Sequence, residues 1–139
     1  MSWWIPYLGR EFHVEQWTCW ELVRAALAER FDVNVPEYGG IYHDVADVPE
    51  TVATADAERS NGWIEVPLGS EQPGDVAEFK SSLLWHVGLV IGPGYVLNVS
   101  QGYPTAVHEI RVLDRAVAPL AGIWRHPALA SASTDSTSA

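Results

Sequence analysis

Apolar positions change their period part-way along the chain. Between residues 18 and 31, Leu22, Val23, Ala26, Leu27 and Phe31 recur three and four apart, the spacing of one helix face. Thr18-Cys19-Trp20-Glu21 stands in front of that stripe and reads as a capping box. Thr18 is the N-cap, Glu21 reaches back, and Trp17 and Leu22 occupy the positions of a hydrophobic staple. A helix is therefore predicted over 18–31, ended by Val35-Pro36. Residues 36–46 read as a loop. An Ala-rich, weaker stretch predicts a second helix around 49–60, stopped at Asn61-Gly62. The second half breaks into short runs at Trp63–Val66, Val76–Phe79, Trp85–Ile91, Tyr95–Ser100, Ala106–Val112 and Gly122–Arg125. Trp85–Ile91 is the most apolar and suits a central strand. Gly92-Pro93-Gly94 is a turn between it and the next. Helices followed by antiparallel strands predict the α+β class.

Composition narrows the picture. A chain of 139 residues, 47% apolar and 19% charged, suits one globular domain, expected over 1–129. The small polar residues 130–139 predict a disordered tail. Eight basic against eighteen acidic residues give a net charge of −10, which argues against nucleic acid as a partner. A single cysteine excludes an internal disulfide, and the five histidines are scattered with no CxxC or HExxH spacing. No metal and no cofactor is expected. The opening MSWWIPYLGREF lacks a basic segment followed by an apolar one, so no signal peptide is expected. No apolar run is long enough to span a bilayer. Synthesis in the cytoplasm without membrane insertion is the expectation.

Cys19 is the first candidate for chemistry. At the first helical position it lies among unpaired backbone N–H groups at the positive end of the helix dipole. That setting lowers a thiol pKa and can hold an oxyanion. The alternative is a buried structural cysteine. His86 is the candidate base, because a histidine opening so apolar a strand needs a partner or a task. A three-residue loop Gly92-Pro93-Gly94, with Gly94 left-handed, would pair Ile91 with Tyr95. Counting back, Gly88 then faces Asn98 and His86 faces Ser100. His86 and Asn98 become diagonal neighbours on one face, where Asn98 can orient the imidazole. A two-residue loop would turn Asn98 away, leaving Ser100 and Gln101 as fallback orienters.

These residues resemble a family. Cys19-Trp20-Glu21-Leu22-Val23-Arg24 is similar to the nucleophile helix of NlpC-type cell-wall peptidases, a branch of the papain-like cysteine hydrolases. The likeness is strongest to phage-tail and gene-transfer-agent members, where Cys-Trp-Gly-Leu-Val-Arg is typical. Pro73-Gly74-Asp75-Val76 resembles the segment that opens a core strand there. His86-Val87-Gly88-Leu89-Val90-Ile91 resembles the strand bearing the catalytic His, and Asn98 falls where the third polar residue, usually His, stands. Tyr7 sits where the family often has a Tyr that helps line the oxyanion site. Ile123-Trp124-Arg125 resembles the ending of the phage members, so the likeness runs from about residue 7 to 126.

The resemblance implies a papain-like domain and a cysteine endopeptidase acting on peptidoglycan stem peptides, commonly between D-Glu and the diamino acid. Cys19 would attack, His86 would activate the thiol and protonate the leaving amine, and Asn98 would orient His86. Trp20 and Trp85 flank the two catalytic candidates and would line the substrate cleft or pack the core. Three departures stand out: Thr18 replaces Asp or Asn, Glu21 replaces Gly, and Asn98 replaces His. Thr18 remains a good N-cap, whereas a Glu21 carboxylate near the sulfur would raise its pKa unless held away. Partners implied are the stem peptide and the hub proteins of a tail tip or baseplate, in a virion that opens the wall locally. Two rival readings stand beside this one. One is a structural tail-tip subunit with an inactive site, and the other is a thiol amidase or acyltransferase on the same scaffold.

Overall fold

A computed structural model describes residues 2–37 and 48–130. The expected loop over 36–46, with His43 and Asp44, lies almost wholly outside the described residues, as does the tail from 131 onward. The chain is α+β, and the described residues form six antiparallel strands in one sheet with helices on both of its faces.

Helix α1 spans Cys19–Phe31. The Thr18 Oγ1 accepts from the Glu21 N–H at 3.2 Å, which satisfies one of the orphan donors at the helix start. Only this half of the expected capping box forms. The Glu21 carboxylate turns outward to the Arg24 guanidinium at 2.8 Å instead of reaching back to Thr18. Leu22, Val23, Ala26 and Leu27 are fully buried, each large one contributing about 1.5–3 kcal/mol. The helix ends at Asp32 in the left-handed region, after which Val33 and Val35 re-enter the core. Helix α2 spans Val48–Arg59.

The strands are β1 (Ile64–Glu65), β2 (Val76–Lys80), β3 (Trp85–Gly92), β4 (Tyr95–Ser100), β5 (Tyr103–Glu109) and β6 (Leu120–Arg125), in the spatial order β1-β6-β2-β3-β4-β5. Trp85, Val87, Leu89, Leu97 and Val99 face α1 and form the larger core with it. Alternation puts the next residues on the other face. There Phe79, Val90 and Val96 pack under a helix the pattern did not predict, α3 (Ile110–Ala116). The expected strand Ala106–Val112 therefore stops at Glu109. The chain turns helical because Ile110 and Leu113, three apart, both find cover on the second face of the sheet.

The N-terminal segment guards the outer edge of β5. Gly9 donates to the Thr105 carbonyl, and the Thr105 N–H donates to Arg10. The Trp17 indole N–H then donates to Thr105 Oγ1 at 2.9 Å, which fixes the entry into α1 and so the place of Cys19. Trp3 and Trp4 fold back on this body, Trp3 meeting Phe31 edge-on. No described helix is long and apolar enough to cross a membrane.

Candidate active site

The β3–β4 hairpin sets the site. Its body keeps the expected register, with Leu89 opposite Leu97 and Val90 opposite Val96. The turn closes differently: Gly92, not Ile91, lies opposite Tyr95, and a register shift between Val90 and Gly92 absorbs the extra residue. Gly94 has φ +84°, the left-handed conformation the turn requires. Continuing the register brings Gly88 opposite Asn98. A side chain on Gly88 would meet Val96 at 2.9 Å, so glycine here lets the two strands close together.

His86 and Asn98 meet as predicted. His86 Nε2 lies 3.0 Å from Asn98 Oδ1, and both residues are 3% exposed. The orientation of the amide follows from its other contact. Asn98 Nδ2 is 3.3 Å from the Ala106 carbonyl, which can only accept, so the atom facing it must be the nitrogen. The oxygen therefore faces His86, and Nε2 carries the hydrogen. Nδ1 keeps a lone pair and makes no hydrogen bond among the described residues. The second Nδ2 hydrogen goes to His108 Nδ1 at 2.9 Å. Sequence reasoning gave His108 no task; only the β4–β5 register, with Val96 opposite His108, brings it to Asn98. Ser100 and Gln101 are not needed as orienters.

Cys19 lies at the start of α1, 1% exposed. Burial pushes its thiol up to about 11, against the lowering action of the N–H groups of Val87, Trp20 and Cys19 itself. The expected thiolate at a helix N-terminus is thus overturned, because the dry core opposes the charge more strongly than the helix start favours it. The contact with Val87 puts the sulfur one residue from His86, yet no hydrogen bond joins thiol and imidazole. The cause is strand alternation. Val87 faces α1, while His86 stands on the face of Phe79, whose ring centre is 6.1 Å away. Burial also lowers the His86 pKa, with the Asn98 hydrogen bond opposing that shift and a charge on His108 adding to it. At rest the pair is neutral thiol and neutral imidazole.

Native Cys19 is therefore expected to react with iodoacetamide at neutral pH about a hundredfold more slowly than an ordinary thiol, the thiolate deficit of a two-unit rise. Thiol consumption followed against pH checks it; rapid alkylation at pH 7 would contradict the burial. Stability carries the same signature. The folded state holds the Cys19 proton that the unfolded chain loses, so stability falls as pH rises from 9.0 to about 11. The His86 contribution, full above 6.5, is lost as pH falls below it. Denaturant midpoints should be level between those limits.

Tyr7 is not at the sulfur. It stacks on Trp17, and its hydroxyl donates to Glu29, ten residues beyond Cys19 on α1 and about 15 Å along the axis. Burial and that carboxylate raise its pKa. This corrects its expected role in the oxyanion site. Trp20 and Trp85 do share a pocket, with Trp63, Trp124, Arg59 and Val87 among its walls. Its volume is about 40 Å³, room for a few waters. Arg59 lies over the Trp124 ring and pairs with buried Glu78, to which the Trp85 indole also donates. Arg10 lies over the Trp17 ring, and Arg24 pairs with Glu21.

No family model matches the chain, and no curated protein matches it. Among the described residues no group of three or more His, Cys, Asp or Glu is placed to hold a metal ion. The polar side chains that the structure joins here are His86, Asn98 and His108, with the Cys19 thiol on the Val87 N–H.

Proposed function

We propose that the chain is a papain-like cysteine endopeptidase of the NlpC type that hydrolyses amide bonds in peptidoglycan stem peptides. The observation that carries this reading is the His86–Asn98 hydrogen bond, which commits Nε2 as donor and leaves Nδ1 as a base one residue from the Val87 N–H beside Cys19. For this chemistry His86 Nδ1 has to reach the Cys19 thiol, to which no hydrogen bond joins it at rest; Nδ1 then takes the thiol proton as Sγ adds to the scissile carbonyl carbon. The imidazolium returns the proton to the leaving amine as the C–N bond breaks, giving a thioester. Water, deprotonated by the same imidazole, then hydrolyses the thioester and restores the thiol. Backbone N–H groups at the start of α1 stand where the oxyanion forms. A virion tail tip or baseplate is the proposed location. An enzyme at −10 carried on a particle reaches an acidic wall by tethering rather than by attraction.

A second reading has its own observation. The neutral, buried Cys19, without a hydrogen bond to His86, suits a structural tail subunit with an inactive site. Incubation with purified stem peptides and mass analysis of products separates the two. Native protein should release fragments cut after D-Glu, and Cys19→Ala should release none. Peptides left intact by the native protein would remove the peptidase reading and favour the structural one. Cleavage elsewhere, or transfer to an added amine, would identify an amidase or acyltransferase.

A further inference from the structure

We propose that His108 is a positioning residue of the same site, which fixes the tautomer of His86 through Asn98. The inference rests on His86 being the base of the reaction above. Asn98 spans β3 to β5: its oxygen takes the His86 Nε2–H at 3.0 Å, and its nitrogen gives one hydrogen to His108 Nδ1 at 2.9 Å and the other to Ala106 at 3.3 Å. An amide can be turned over at no internal cost, and the turned form would offer His86 an N–H donor. His86 would then have to accept at Nε2 and carry its hydrogen on Nδ1, which ends its use as a base there. Two acceptors oppose that turn. The Ala106 carbonyl holds the nitrogen at 3.3 Å, and His108, in its Nε2–H form, adds the shorter hold at 2.9 Å.

The arrangement also fixes His108. Its Nδ1 must be bare to accept, so its hydrogen resides on Nε2. His108 is half-buried on β5, diagonal to Asn98 across the strand pair. Its charge state bears on His86 directly, since a positive His108 disfavours a positive His86. The three side chains thus form one chain of donors and acceptors with a single direction, each link requiring the next.

Long-range proton–nitrogen spectra of the histidine rings, recorded in mildly alkaline buffer, test this without turnover. Native protein should show His86 and His108 both as the Nε2–H form. In His108→Leu, His86 should become a mixture with the Nδ1–H form. In His108→Asn, whose Oδ1 stands where Nδ1 was, His86 should return to one form. With stem peptide, kcat in His108→Leu should fall about tenfold at unchanged KM, the low end of losses when a partner behind a functional histidine is removed, and His108→Asn should recover it. Native His108 found as Nδ1–H, or His86 unmixed in His108→Leu, overturns the proposal. Failure of native protein to cut peptide would overturn the function above, and the spectra would still decide the role of His108.

Discussion

Stem-peptide cleavage is expected to fall by about 10²–10⁴ in kcat when His86 is replaced by alanine, the range for loss of a general base. KM should change little, because the imidazole is buried against Asn98 and Phe79. The substitution strands the Asn98 oxygen without its donor, at a cost of about 1–3 kcal/mol. His86→Gln, whose amide can still donate to that oxygen, keeps the fold and should lose nearly as much activity. The pH profile adds a sign. Burial holds the His86 pKa below 6.5, so on the proposed reading the acid limb of kcat/KM in the native protein should fall below that value. A His86→Gln variant within threefold of native kcat would remove the base from the mechanism.

That experiment matters because the resting site is not an ion pair. A buried thiol raised to about 11 needs its proton removed as the carbonyl is attacked. Sites that hold a preformed thiolate react with alkylating reagents at acid pH; Cys19 should not. His86→Ala is accordingly expected to leave the alkylation profile of the free protein unchanged while removing turnover. The two readouts separate a base that acts on substrate from one that merely tunes a thiol.

Much of this was legible in the sequence, for local reasons. The helix over Cys19–Phe31 follows from one cap and one stripe, both contained within fourteen residues. The β3–β4 register follows from a glycine that must be left-handed, so His86 and Asn98 could be paired by counting. The error at the turn, Gly92 in place of Ile91 opposite Tyr95, was harmless because a bulge restored the parity. What failed was non-local. Helix α3 forms because the second sheet face has room for Ile110 and Leu113, and nothing in residues 106–112 shows that face. The Tyr7 hydroxyl goes to Glu29 and the Trp63 indole to Glu58, choices set by packing at sequence separations no period reveals. The thiol pKa was misjudged because a helix terminus is visible in sequence and the depth of its burial is not. His108 is hidden from a sequence reading because a register shift between Asn98 and Ser100, behind the Gln101-Gly102 turn, moves the β4–β5 pairing.

The largest loss of stability is expected from Asp75→Ala, at about 3–5 kcal/mol, the cost of removing one partner from a buried ion pair. Asp75 is 1% exposed, and both carboxylate oxygens are in use. Arg125 donates through Nε to Oδ1 at 2.8 Å and through a terminal nitrogen to Oδ2 at 2.8 Å, a fork that matches the carboxylate. Oδ2 also accepts from the Gln72 N–H, which closes the turn before β2. The backbone of Asp75 is tied as well, its carbonyl accepting from Val90. One side chain therefore joins the start of β2 to the end of β6. Alanine would leave a largely buried guanidinium unpaired and the Gln72 N–H orphaned. Arg125, whose pKa the carboxylate raises, would stay charged at any accessible pH. For a chain of this size the expected drop in Tm is about 10 °C. Asp75→Asn keeps an acceptor for Gln72 but loses the charge, so it should fall between native and alanine. Combining Asp75→Ala with Arg125→Met should restore part of the loss, because the unpaired cation is then gone. Chemical denaturation of native protein, Asp75→Ala, Arg125→Met and the double variant measures the coupling. A cost below about 1 kcal/mol for Asp75→Ala, the ceiling for an exposed pair, would mean that this contact is solvated in solution and that β6 is held by its ladder alone.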